Sequence, residues 1–151
     1  MVPRTIYHNH GISPFSVVDS DFSVFGIIEF PTKVGCRFLL VRTERGKLKL
    51  PGGKKRGFEL PYETLIREVR EETGILIDAD HIDDECAYFN SAPSHDFFVF
   101  RVVLPKAPRF PHRGCTGETP RVMSLEDIKS NFLHILLWHR YAIIRYLSFH
   151  H

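Results

Sequence analysis

Long apolar runs, clustered cysteines, an excess of one charge, internal repeats and low-complexity tracts are all missing from this sequence. The most apolar stretch, Phe132 to Leu147, is broken by His134, His139, Arg140 and Arg145, whereas a membrane-spanning helix needs about 20 mostly apolar residues. A buried helix is expected there. The N-terminus, Met1-Val2-Pro3-Arg4, has no apolar core of the kind a secretory signal requires. Cys36, Cys86 and Cys115 are odd in number and far apart, without the close pairs of zinc sites or redox motifs, so a cytoplasmic setting is expected. With 20 Lys and Arg against 18 Asp and Glu, the net charge is only +2. No general attraction to nucleic acid or membrane follows from it. The one tryptophan, Trp138, suits a packed terminal helix better than a cofactor site.

What is present is a chain of 151 residues, 43% of them hydrophobic, which is too apolar for disorder and the length of one domain. A single domain over 1–151 is expected, with an irregular lead-in over 1–14. Phe22 to Phe30 reads as a strand closed by Pro31, Cys36 to Arg42 is a second short apolar run, and Glu44 to Gly46 turns the chain before Lys47 to Leu50. Pro51, Gly52 and Gly53 interrupt regular structure. Tyr62, Leu65, Ile66 and Val69 recur at helical spacing within Leu60 to Thr73, and Gly74 stands where that helix would stop. Strands follow at Glu85 to Asn90 and Phe97 to Leu104, separated by a turn-rich segment with Pro93, Ser94 and Asp96. Pro105 to Pro120 reads as a long loop, and Ser124 with Asp127 as a capping box opening a further helix. The fold class is α/β, with helices against a central mixed β-sheet.

Chemistry concentrates in Gly53 to Ile75, GKKRGFELPYETLIREVREETGI. At 100° per residue, Glu68, Glu71 and Glu72 fall within one arc of roughly 100°. Like charges so placed cost a helix roughly 0.2–0.5 kcal/mol per pair, a penalty that a bound cation reverses. Leu65 and Val69 lie beside the arc, so the acidic face borders the core. Three shielded carboxylates suit a hard divalent ion such as Mg²⁺, and Gly52 is the candidate for a carbonyl ligand because glycine permits close approach of the main chain. The plainer alternative is a solvated face partnered by Arg67 and Arg70.

The spacing decides between them. Gly53, Glu59, Arg67, Glu68, Val69, Glu71, Glu72, Gly74 and Ile75 match the pattern G-x5-E-x7-R-E-U-x-E-E-x-G-U at every specified position, U being aliphatic. Chance would produce this on the order of 10⁻⁹ times per starting position. The segment resembles the Nudix box, and the chain is similar to Nudix hydrolases. That resemblance implies an α/β/α sandwich and hydrolysis of a nucleoside diphosphate linked to another group, with Mg²⁺ or Mn²⁺. It implies that Glu68, Glu71 and Glu72 bind metal with the Gly52 carbonyl, and that Arg67 and Glu59 orient loop and helix. Leu60 and Pro61 depart from the small polar residues usual after the first glutamate, so the helix start is expected to shift while the ligand face survives. In some relatives a glutamate before the last helix adds a ligand or base; Glu118 is the matching residue. The catalytic set is then Glu71, Glu72, Glu118 and Arg67.

Arg42, Arg45, Lys47, Lys49, Lys54, Lys55 and Arg56 accumulate ahead of the acidic helix, with Arg42 and Lys54 the preferred phosphate contacts. Among Phe25, Tyr88, Phe89, Phe97 and Phe98, core packing outweighs base stacking. His8 and His10 are a weak metal signal. The expected activity is pyrophosphohydrolysis of a small nucleotide, either a nucleoside triphosphate or ADP-ribose and related sugar nucleotides. Dinucleoside polyphosphates stay open. The alternatives are removal of caps or 5′-end phosphates from RNA, and a nucleotide-sensing module without catalysis. A sensing module would be expected to lose box carboxylates, and none is lost. Small nucleotides are the expected partners, with no membrane partner, nucleic acid not favoured, and a homodimer left open.

Overall fold

The structure, a computed structural model, describes residues 4–6, 12–110 and 117–150. His8, His10 and Cys115 lie outside them. Phe22–Thr32 (β2) is buried without interruption from Phe22 to Phe30, because both faces of this central strand are covered. Phe22, Val24, Ile28 and Phe30 enter one apolar cluster, while Phe25 and Ile27 enter the other. The period of two thus feeds two cores.

β2 runs antiparallel to Gly35–Arg42 (β3) and parallel to His95–Val103 (β7), which pairs with Ile82–Ala92 (β6). Arg4–Ile6 (β1) extends β6, so part of the expected irregular lead-in is a strand. The edge of β6 offers backbone partners that local sequence does not reveal. Leu48–Lys49 (β4) and Thr119–Met123 (β8) both pair with β3. Gly52–Lys54 (β5) pairs with β2. One sheet of eight strands results among the described residues.

Pro61–Thr73 (α1) covers one face through Leu65 and Val69. Leu125–Ser130 (α2) and Leu137–His150 (α3) cover the other through Ile128, Ala142, Ile143 and Tyr146. The α/β/α sandwich follows.

Several expected boundaries move. β2 passes through Pro31, which pairs with Cys36 where the β7 ladder has already ended at Glu29, so the missing N–H costs no bond on that side. Gly52 and Gly53 form a strand instead of interrupting one. Asp96 belongs to β7 and Pro120 to β8, each held by a neighbouring ladder. The apolar C-terminal segment is not one helix: Phe132–His134 is a 3₁₀ turn, and Ile135 is extended and fully buried beside Leu48. Only then does α3 begin. Trp138 sits on α3, its ring centroid 5.8 Å from that of Tyr141, and is 38% exposed, so it lies outside the core. No helix among the described residues is long and apolar enough to cross a membrane.

Candidate active site

The acidic helix is anchored on the sheet by glycines. Gly52 has φ of 145°, and a Cβ there would lie 2.0 Å from the Val24 carbonyl oxygen, so β5 can approach β2 only as glycine. The Gly26 amide donates to the Pro51 carbonyl (2.9 Å), fixing the same bend. At Gly53 a Cβ would fall 2.5 Å from the Glu68 carboxyl carbon. The box glycine is therefore the floor on which Glu68 lies.

α1 begins at Pro61, with Leu60 as its cap residue. Pro61 is the first helical residue and has no N–H to satisfy, while the Tyr62 amide donates to the Pro14 carbonyl (2.9 Å). Glu63 reaches back to accept from the Leu60 amide (2.9 Å), doing half the work of a capping box without a polar cap residue. Gly74 ends the helix in the left-handed region, φ 75°, its amide donating to the Arg70 carbonyl.

Arg67 ties this helix to the preceding loop. Its Nε and Nη2 donate to the two oxygens of Glu59 (2.7 and 2.9 Å), Nη2 also to the Lys54 carbonyl (2.8 Å), and Nη1 to Glu68 (3.0 Å) and Glu71 (3.3 Å). Glu59 in turn accepts from the Arg56 amide and the Thr64 hydroxyl. Burial raises the Glu59 pKa, but the hydrogen bonds from Arg67 and the Arg56 amide outweigh it, and the net shift is downward. The loop and α1 are thus held as one unit.

The three carboxylates share the helix face that faces β5, and each meets a cation. Glu71 accepts from Arg56 (2.9 Å) and Arg67, Glu68 from Arg67, and Glu72 from Lys49 (2.6 Å). Glu72 is 3% exposed, and its other oxygen accepts from the Gly52 amide (2.7 Å). It also shares a hydrogen bond with Glu118, so the loop before β8 does reach the acidic face. Burial first, and that second carboxyl next, push the Glu72 pKa upward. Among the described residues no group of three His, Cys, Asp or Glu side chains is arranged to hold an ion as it stands. The donors are nevertheless all oxygens, gathered around two glycines whose missing Cβ atoms leave room for them. Such a hard set suits Mg²⁺ or Mn²⁺ once the basic side chains give way.

The basic residues scatter. Lys55 Nζ donates to the Ser20 carbonyl (2.9 Å), and Lys54 is exposed on β5 with its carbonyl taken by Arg67. Arg45 and Lys47 line a groove of about 520 Å³ with Thr43, Glu44 and Glu118. Arg42 opens instead onto a neighbouring groove of about 410 Å³ with Arg121, Asn131 and His134. Phe25, Tyr88 and Phe98 are core residues, as expected.

Two participants had no sequence signal as partners. Lys49 was one basic residue among seven, and its bond to Glu72 spans 23 positions. His139 is buried on α3, where its Nδ1 accepts from the Leu50 amide (2.9 Å) beside the strand leading to Gly52.

Comparison with known proteins gives a match to the NUDIX domain model over residues 21–146. Among curated proteins none matches the sequence. Many solved structures share the fold, three of them as follows. A bifunctional NMN adenylyltransferase/ADP ribose pyrophosphatase from Francisella tularensis, complexed with AMP and Mn ion, aligns at TM-score 0.65 and 20% identity, over 89% of this chain and 42% of that one. The C. elegans Ap4A hydrolase aligns at TM-score 0.57 and 18% identity, over 86% and 98%. A MutT structure, from work on the Aliivibrio salmonicida and Vibrio cholerae proteins, aligns at TM-score 0.59 and 20% identity, over 85% and 98%.

Proposed function

This chain belongs to the NUDIX domain family and is a hydrolase of that family, and from that premise we propose that it is a metal-dependent pyrophosphohydrolase of small nucleotides. The substrate is a nucleoside triphosphate or an ADP-ribose-like nucleoside diphosphate, cleaved at a phosphoanhydride bond. One observation carries the reading: Glu68, Glu71 and Glu72 lie on one face of α1, with Glu68 against Gly53 and Glu72 bonded to both the Gly52 amide and Glu118.

Glu68, Glu71, Glu72 and the Gly52 carbonyl would hold Mg²⁺ or Mn²⁺. A divalent ion so held supplies Lewis acidity toward phosphate oxygens and lowers the pKa of an attacking water. Arg67 and Glu59 keep the loop and helix in register, so the ligand face is preset before substrate arrives. Glu118, hydrogen-bonded to Glu72, would be the carboxylate that takes up the water's proton. Arg42 and Lys54 are the proposed phosphate contacts, and Arg45 and Lys47 flank Glu118 in its groove. Residues 1–151 act as one domain in this reading, in the cytoplasm. The homodimer stays a proposal supported by the outward Leu137, Tyr141 and Ile144 of α3.

The test is hydrolysis of nucleoside triphosphates, ADP-ribose, sugar nucleotides and dinucleoside polyphosphates with Mg²⁺ or Mn²⁺, products identified by mass. Glu71→Gln is expected to lower kcat by 10² or more, roughly the loss of one essential charged group, with folding intact by circular dichroism. Metal-independent turnover, or an unaffected variant, would defeat the proposal. Arginines and lysine in the two adjoining grooves favour RNA 5′-ends as a second reading; a steep fall of activity with salt and a preference for long RNA would select it.

A further inference from the structure

Lys49 is 8% exposed, an unusual burial for a residue that is almost never taken out of water unless paired. An ammonium has three protons to place. Here three acceptors surround Nζ: Glu72 Oε2 at 2.6 Å, the Gly52 carbonyl at 3.0 Å and the Leu50 carbonyl at 3.3 Å. Two of these oxygens are ligands in the proposed metal site. Glu72 is fixed from its other side by the Gly52 amide, so the lysine closes a small ring in which carboxylate and carbonyl already point at one cation.

That cation and a metal ion exclude each other. Mg²⁺ sits at 2.0–2.1 Å from its oxygens, which would place it inside the space between the ammonium and the two acceptors. Its two positive charges would also repel a third at contact distance in a buried setting. The lysine has somewhere to go, because its stem is flexible and its Nζ already lies 5.3 Å from the Phe25 ring centroid.

We propose that Lys49 is a positioning residue whose ammonium presets Glu72 and the Gly52 carbonyl in the metal-free enzyme and competes with the incoming divalent ion for those same two oxygens. The inference rests on the metal-binding reading above. Metal uptake is then an exchange of one cation for another, and Lys49, once displaced, remains beside the site as a charge available to a phosphate.

The experiment measures Mn²⁺ binding without nucleotide, by the electron paramagnetic resonance signal of the free ion, together with melting temperature with and without metal. Wild type, Lys49→Met, Lys49→Gln and Glu71→Gln are compared. Removing the competing charge should tighten Mn²⁺ binding by about tenfold or more, the scale on which one adjacent charge moves a site's affinity for a cation. The metal-free Lys49 variants should melt lower than wild type, and metal should raise their melting temperature by more. Unchanged or weaker Mn²⁺ binding in a folded Lys49→Met or Lys49→Gln protein would overturn the exchange while leaving the metal site standing. Wild type that binds no Mn²⁺, or Glu71→Gln that binds it normally, would instead remove the underlying reading and the exchange with it.

Discussion

His139 sets a pH limit through a single nitrogen. Its Nδ1 accepts from the Leu50 amide, so the ring must be neutral in the fold, and burial, with Lys49 nearby, pushes its pKa down to about 3. Below pH 6.5 the unfolded chain takes up a proton that the folded one refuses, so stability falls as pH drops through that value. Between pH 6.5 and 5 this costs about 2 kcal/mol. His139→Gln keeps an acceptor without a titration; urea melts should show its stability changing less than wild type's over that interval, and parallel profiles would contradict the assignment. The two adjacent glycines differ in the same concrete way. Gly52→Ala drives a Cβ into backbone and should abolish soluble folded protein, whereas Gly53→Ala meets only the flexible end of Glu68. The second variant should keep its melting temperature within a few degrees, a loss below about 1 kcal/mol, yet bind Mn²⁺ more weakly. Equal metal affinity would mean that Glu68 is not a ligand.

At the scale of elements, what the sequence made legible was local. The Leu60-to-Thr73 helix, its stop at Gly74 and the Ser124 cap all depend on residues within a few positions of one another, and all appear. Ser124 accepts from the Asp127 amide (3.0 Å) and Asp127 from the Ser124 amide (3.0 Å). Ser124→Ala should lower stability by about 1 kcal/mol in chemical denaturation, and no loss would show that Asp127 alone holds the turn. Elements defined by distant partners were not legible. β5 exists because Gly52 can lie against Val24, and β8 includes Pro120 because β3 supplies its ladder. The break before α3 depends on Leu48, which accepts from the Leu136 amide (2.9 Å). The site divides along the same line: helical spacing placed Glu68, Glu71 and Glu72 together, while the Lys49 and Glu118 contacts to Glu72 cross from other parts of the chain.

Across the whole molecule, α3 is tied to the sheet by a polar cluster on the face opposite the acidic helix. Glu29 is 6% exposed on β2, pointing with Phe25 and Ile27 toward α3. It accepts from Arg101 Nη2 on β7 (2.5 Å) and from the Tyr146 hydroxyl on α3, while Arg101 Nε also donates to that hydroxyl (3.2 Å). Three elements therefore meet on one carboxylate, and α3 carries His139 at its other end, against the strand that leads into Gly52. Arg101→Met would leave a buried carboxylate without its counter-charge, at about 3 kcal/mol. Glu29→Gln paired with Arg101→Met removes the charge problem and should restore most of that loss, because an absent pair costs less than a broken one. A double variant no more stable than Arg101→Met alone would show that the arginine's contact with Tyr146, and not its charge, holds α3 in place. If α3 orients the Leu50–Pro51 link between β4 and β5 through His139, the single variant should also weaken Mn²⁺ binding, and the double variant should recover it in step with stability.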